Sequence, residues 1–220
     1  MTQQSGTLIA FCGVDGVGKS SLVAALGRDS KLAEALVLKK QTSPNLDALQ
    51  TSFRRERGDW RDWNDGPFAQ AASIGAAMEF LHHNDTQIMP ALAQDRLVIC
   101  DRHAVCYAGY LVSTGAELSH KDFFHNIRRP DLMFLVEVSV DELSRRLDAR
   151  GGAREDENPV LSLRLRAAYH QLLASYSKRA VVIQNDAPFD ETLEKIRTEL
   201  FAHLAGSSPA VHYKMETSYG

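Results

Sequence analysis

Short apolar runs alternate with longer stretches of helical periodicity along the whole 220-residue chain. Thr7–Cys12 is a compact apolar run of strand type. Leu22, Val23, Ala25 and Leu26 then fall on one helical face, with Gly27 as a stop. Glu34–Lys40 reads as a second strand ending in two lysines, followed by a turn at Gln41–Asn45 in which Pro44 is the breaker. Leu46–Arg57 reads as a helix, and Gly58–Pro67 as a polar loop carrying Trp60 and Trp63. Phe68–Gln94 predicts one long Ala-rich helix, kinked before Pro90. The rest follows the same rhythm. Strand Leu97–Cys100 precedes helices Ala104–Val112 and Leu118–Ile127, and strand Leu132–Val138 precedes helix Val140–Ala149. A charged loop at Arg150–Pro159 leads to helix Val160–Ser177, strand Ala180–Gln184 and a capped amphipathic helix Asp190–Leu204 ending at Gly206.

Strands alternating with helices in this way form a parallel sheet covered on both faces. Such sheets bind ligands beyond the carboxyl ends of their strands. The residues there are those from Cys12 onward, Lys39 and Lys40, Asp101 and Arg102, Ser139, and Asn185.

At the first of these ends stands Gly13-Val14-Asp15-Gly16-Val17-Gly18-Lys19-Ser20, which fits G-x-x-x-x-G-K-[ST] between a strand and a helix. Its glycines let backbone N–H groups point into one concavity, Lys19 reaches β/γ-phosphates, and the Ser20 hydroxyl takes a site on Mg²⁺. The following helix adds its positive end. An ordinary Gly-rich strand-to-helix turn is the bland alternative.

Other candidates are judged by their place relative to this loop. Asp101 follows an apolar strand, where a carboxylate can organise a metal or act on the acceptor side; its alternative is a helix N-cap. Arg102 beside it can grip a phosphate bidentately. Lys39 and Lys40 could face the same cleft or be solvated strand-end lysines. Asp141/Arg145 and Glu142/Arg146 are i,i+4 pairs, which makes these arginines surface partners. Arg150 and Arg154 escape that pairing and, beside Gly151 and Gly152, could sit on a closing lid or on a merely solvated loop. Trp60 and Trp63 could stack a base or simply pack. His82, His83, His120 and His125 lack zinc-ligand spacing. Cys12 and Cys100 end two strands that could be neighbours, with burial as the default and redox pairing as the minor option.

The length suits one α/β domain over residues 1–205, with a lid at about 150–159 and a polar tail at 206–220. A net charge of −3 gives no global pull toward polymeric nucleic acid or an anionic membrane. Three cysteines make no disulfide framework and point to a reducing cytoplasm. No apolar run nears the length of a membrane span, and Met1–Gly6 lacks a signal-peptide core.

Together these pieces resemble the thymidylate kinase family of P-loop nucleoside monophosphate kinases. The resemblance rests on the phosphate loop with its internal carboxylate and the Ser20-Ser21 that follows Lys19, on Asp101-Arg102-His103, and on Arg129-Pro130-Asp131-Leu132 opening the fourth strand. The Arg-Gly lid behind the next helix adds to it. It implies a three-layer P-loop kinase fold: a five-stranded parallel sheet of order 2-3-1-4-5, with helices on both faces and a lid. It implies Mg²⁺ and ATP as donor, bound by Gly13 to Ser21, with Ser20 and Asp101 on the metal. Asp15, Lys40, Arg102, His103 and Tyr110 would bind the acceptor. Gly16 and Val17 replace the loop arginine of one subtype, so the catalytic arginine would come from the lid, Arg154 first and then Arg150. A homodimer is also implied. The family's usual Arg-Glu-Pro-Gly-Gly after the second strand is replaced by Lys39-Lys40-Gln41-Thr42-Ser43. Ala69–Asn84 lacks the base-reading arginine, and Cys106 and Ala108 stand where a Ser/Thr and a Gln usually face the base. The phosphate machinery is kept and the base pocket is rewritten. The acceptor reading is therefore dTMP or an unusual analogue. A nucleoside or small-molecule hydroxyl, or binding without turnover, are the alternatives.

Overall fold

The computed structural model describes residues 6–40, 48, 51, 66–115, 123–149 and 159–206. Five parallel strands form one sheet in the order β2-β3-β1-β4-β5. They are β1 Thr7–Cys12, β2 Leu36–Leu38, β3 Leu97–Asp101, β4 Leu132–Glu137 and β5 Ala180–Gln184. The expected fold and strand order are both present. β1 is central because its side chains are apolar in both pleat directions. Leu8, Ile9, Ala10 and Phe11 are all fully buried, as a strand covered on both faces requires. The register places Phe11 beside Asp101 and Cys12 beside Leu135. The carboxyl ends of β1, β3 and β4 are thereby level, and whatever follows them meets in one cleft.

The helices are α1 Lys19–Leu26, α2 Gly66–His83, α3 Met89–Ala93, α4 Ala104–Ser113, α5 Val140–Ala149, α6 Pro159–Tyr176 and α7 Phe189–Leu204. Two local expectations need correcting. The second strand is Leu36–Leu38 and not Glu34–Lys40, because its pairing to β3 runs only from Leu36–Val98 to Leu38–Cys100, and the Ala35 amide closes a turn onto Leu32. The long helix is interrupted by a π-helical turn at Asn84–Ile88. Pro90 lacks the N–H that the preceding turn would use, and a widened turn accommodates its ring. The helix read over 46–57 and the tryptophan loop lie outside the described residues, apart from isolated backbone positions. So does the first half of the helix read over 118–127, of which only residues 123–127 are described.

A column of rings fills the space between α2, α4 and α6. Phe80 stacks on Tyr107 with centroids 4.7 Å apart and presents its ring to His103 at 5.2 Å. Phe124 joins this column, and Tyr176 lies behind it. Fully burying such a ring stabilises the fold by about 1.5–3 kcal/mol. Tyr169 of α6 lies directly on Gly109 of α4, where a Cβ would collide with ring atoms Cε1 and Cδ1. Four ionic or hydrogen bonds gather at Asp131 on the amino side of the sheet. Its carboxylate accepts from the Leu8 amide, Arg128 and Lys178, and its own amide donates to the Leu8 carbonyl.

Candidate active site

The loop between β1 and α1 wraps through three glycines with positive φ: Gly13 at 141°, Gly16 at 88° and Gly18 at 95°. None of them can take a Cβ without a close contact, Gly16 meeting Leu143 Cδ1 at 2.8 Å. A Cβ on Gly13 would strike the Val136 carbonyl, and one on Gly18 would come 2.7 Å from Asn185 Nδ2. This is the curled backbone that aims successive amides into one concavity.

Lys19 is buried and donates to the Val14 carbonyl over 2.6 Å. Burial, with the Arg102 charge behind it, brings its ammonium down to about 8. Ser20 opens toward solvent, and its hydroxyl donates to Asp101 Oδ2 over 2.5 Å. The other carboxylate oxygen of Asp101 is buried without a hydrogen-bond partner among the described residues. A hydroxyl and an open carboxylate oxygen are the hard ligands Mg²⁺ takes when phosphates and water supply the rest, so the residues fit that ion. Ser21 stands exposed on the first turn of α1.

Arg102 defines the acceptor side. It adopts φ 83° while its amide donates to the Phe11 carbonyl, so it is held in a left-handed conformation at the edge of the sheet. Its side chain is only 4% exposed. One amino group donates to Asp15 over 2.6 Å, and Nε and Nη1 have no partner among the described residues. Burial would raise the Asp15 carboxyl, but Arg102, Lys19 and Lys40 hold it well below the usual carboxylate range. Lys40 lies 3.7 Å from Asp15, and the Tyr110 hydroxyl lies 3.5 Å from its other oxygen. Loop, β2 end, β3 end and α4 thus converge on one carboxylate. Lys39 lines a small recess with Arg102, Phe80 and Tyr107.

Three sequence expectations come out differently. His103 does not reach the cleft: it is 1% exposed, its ring lies against Phe80, and burial alone lowers its imidazole to about 3. Arg146 is not a surface partner. It donates to Glu142, to the Asn185 carbonyl over 2.6 Å and to the Val17 carbonyl at 3.3 Å, while Asn185 Nδ2 donates to Val17 over 2.7 Å. Arg146 and Asn185 therefore brace the phosphate loop from behind, and Arg145 takes Glu142 instead of Asp141. Only the position of Asn185 after a strand hinted at this. Cys12 meets Cys106 and not Cys100, because the register sets Cys100 opposite Ala10. Arg150 and Arg154 lie outside the described residues.

A thymidylate kinase family model matches residues 69–196. The chain is 28% identical over 208 residues to the thymidylate kinase of Ruegeria pomeroyi, covering 91% of this chain and 97% of that one. It is 30% identical over 211 residues to that of Dinoroseobacter shibae, with the same coverage. Among solved structures, the thymidylate kinase of Ehrlichia chaffeensis superposes with a TM-score of 0.60 at 17% identity, over 89% of this chain and 99% of that one. Fold, loop and relatives agree: the chain belongs to the thymidylate kinase family and is a nucleoside monophosphate kinase.

Proposed function

We propose that the protein transfers the γ-phosphoryl group of Mg-ATP to the phosphate of a pyrimidine-type nucleoside monophosphate, dTMP or an analogue. The observation that carries this reading is Arg102. A buried guanidinium with one arm tied to Asp15 and the nitrogens Nε and Nη1 unanswered among the described residues suits a dianionic acceptor phosphate at the mouth of the donor loop.

An acceptor phosphate oxygen attacks the γ-phosphorus, and the bond to the β,γ-bridging oxygen breaks, releasing ADP. Little covalent chemistry falls to the protein, so catalysis is positioning and charge neutralisation. The residues from Gly13 to Ser21 cradle the donor phosphates, and Lys19 sets its charge beside the group in transit. Ser20 and Asp101 would hold Mg²⁺. Bound there, the ion supplies charge to the donor phosphate oxygens. Arg102, with Lys40 and Tyr110, orients the acceptor, and Asp15 keeps Arg102 in place. By the family resemblance, Arg154, then Arg150, supplies the lid arginine.

The recess below Arg102 is lined by Leu38, Phe80 and Tyr107, with Lys39 and His83 at its edges. Phe80 and Tyr107 beside Arg102 and Asp101 give that recess a mixed lining, which supports an acceptor held at its phosphate and packed against the rings. The kinase unit would span residues 1–205, in the cytoplasm, where three free thiols persist. The family resemblance supports a homodimer, for which exposed apolar residues such as Met78 on α2 and Val112 on α4 are available.

Incubation with Mg-ATP and a panel of nucleoside monophosphates and nucleosides tests the reading. ADP should form with at least one monophosphate, and Lys19→Met should abolish it with the fold intact. Turnover only with neutral hydroxyl acceptors, or nucleotide binding with no turnover at all, would overturn it.

A further inference from the structure

Cys12 is the last residue of β1, immediately before the phosphate loop, and Cys106 lies in the first turn of α4, four residues after Arg102. Their sulfurs are 3.2 Å apart, and both side chains are fully buried. A disulfide needs about 2.0 Å between sulfurs, so closing the bond takes a movement of about 1 Å. The third thiol, Cys100, has no such neighbour: it is opposite Ala10 in the sheet. Neither member of the pair is used by the phosphoryl-transfer machinery.

We infer that Cys12 and Cys106 are a redox pair whose reversible disulfide clamps the donor loop to the acceptor helix and slows turnover. The two residues belong to the two halves of the site. Cys12 leads directly into Gly13, whose positive φ and fit against the Val136 carbonyl leave it little slack. Cys106 shares the first turns of α4 with the strained Arg102 connection. A displacement of about 1 Å between reacting groups costs on the order of 10² in rate.

The chemistry balances with a peroxide as oxidant. The Cys106 thiol ionises, its thiolate attacks one peroxide oxygen and the O–O bond breaks, leaving a sulfenic acid and a hydroxide that takes up the thiol's proton as water. Cys12 then attacks that sulfur, its thiol proton passes to the departing hydroxyl, and water leaves as the S–S bond forms. Two thiols and one hydrogen peroxide give one disulfide and two waters. Sulfur loses two electrons and the peroxide gains them. Burial opposes the Cys106 thiolate, but the contact with Cys12, then the Arg102 charge and, least, Lys19, outweigh it and lower the thiol below its usual value. Cys12, raised by burial, stays a thiol until it attacks.

The test uses the full chain, reduced, freed of reductant, treated with hydrogen peroxide and alkylated in denaturant. Reduced protein should take up three alkyl groups, one per cysteine. Peroxide-treated protein should take up one, and a non-reducing peptide map should join the Cys12 and Cys106 peptides. Cys100→Ser should keep the cross-link, and Cys12→Ala should lose it. ADP formation should fall at least tenfold on oxidation and recover with dithiothreitol in the wild type and in Cys100→Ser. Three alkylatable thiols at peroxide levels that fully oxidise glutathione would overturn the inference. So would a cross-link between different cysteines, or one that leaves turnover unchanged. The rate readout rests on the proposed kinase reaction; the alkylation count does not, so failure of one is distinguishable from failure of the other.

Discussion

Arg102 donates to Asp15 over 2.6 Å although 87 positions separate them in the chain. The contact joins the β3–α4 turn to the middle of the phosphate loop, so donor and acceptor sides share one ion pair. Breaking one partner of a buried, hydrogen-bonded charge pair costs about 2–5 kcal/mol. Arg102→Lys keeps the charge but loses the fork. We expect kcat/KM for the acceptor monophosphate to fall at least ~30-fold, with KM for ATP changed less than about threefold. Steady-state kinetics in both substrates check this. An unchanged acceptor KM would point to a neutral acceptor.

Ser20 and Asp101 are joined by a 2.5 Å hydrogen bond, with the second Asp101 oxygen left open. Asp101→Asn preserves shape and removes charge. Losing a carboxylate near a metal typically costs about 10–100-fold in affinity or rate. The Mg²⁺ concentration for half-maximal rate should rise by that order while the thermal midpoint stays near the wild-type value. A magnesium titration of the initial rate decides it.

Lys19 carries its charge only below about 8, because burial, reinforced by Arg102, favours the neutral amine. The protonated form is the one that meets phosphate. As pH rises through about 8 the free enzyme loses that charge, and kcat/KM for ATP should then decline about tenfold per pH unit. Lys19→Arg, charged throughout, should show no such decline even if its absolute rate is lower. The same shift has a stability consequence of known sign. Between about 8 and the ordinary lysine value the unfolded chain binds more protons than the native one, so this group makes stability rise with pH there.

His103 is buried with both ring nitrogens unpartnered among the described residues, and its imidazole titrates at about 3 in place of 6.5. Its folded value is depressed, so the native state resists protonation while the unfolded chain accepts it. Its contribution to stability is therefore present above 6.5 and is lost as pH falls from 6.5 toward 3. Urea midpoints measured across that window should fall less steeply for His103→Phe than for the wild type.

Gly109 and Tyr169 offer a contrast in packing. Gly109→Ala drives a methyl into the Tyr169 ring and should destabilise by about 1–3 kcal/mol, lowering the melting temperature by several degrees. Tyr169→Phe removes a buried hydroxyl with no partner among the described residues and should be neutral or slightly stabilising. Calorimetry on the two variants separates them.

The phosphate loop was legible in the sequence because its chemistry is local. Gly13, Gly16 and Gly18 supply positive φ one residue at a time, and Lys19 and Ser20 follow at fixed offsets. The identity of the strands was equally legible, since continuous apolar runs such as Leu8–Cys12 and Leu132–Val136 can only be buried. Arg146 was misread for a physical reason. Its i,i+4 partner Glu142 is genuine, but an arginine has five N–H donors, and two others reach the carbonyls of Val17 and Asn185. Spacing along a helix says nothing of what packs across it.

The phosphate cradle and the apolar character of each strand follow from residues close together in the chain, where backbone freedom and hydrophobic periodicity act, whereas the strand order was expected only from the family resemblance. Contacts between distant segments are set by register. The pairing Phe11–Asp101 puts Arg102 over Asp15, Ser20 under Asp101, and Cys106 rather than Cys100 beside Cys12. A shift of one residue in a strand reverses every side chain on it. Which carboxylate meets which guanidinium, and which thiol meets which, was therefore decided only when the sheet closed.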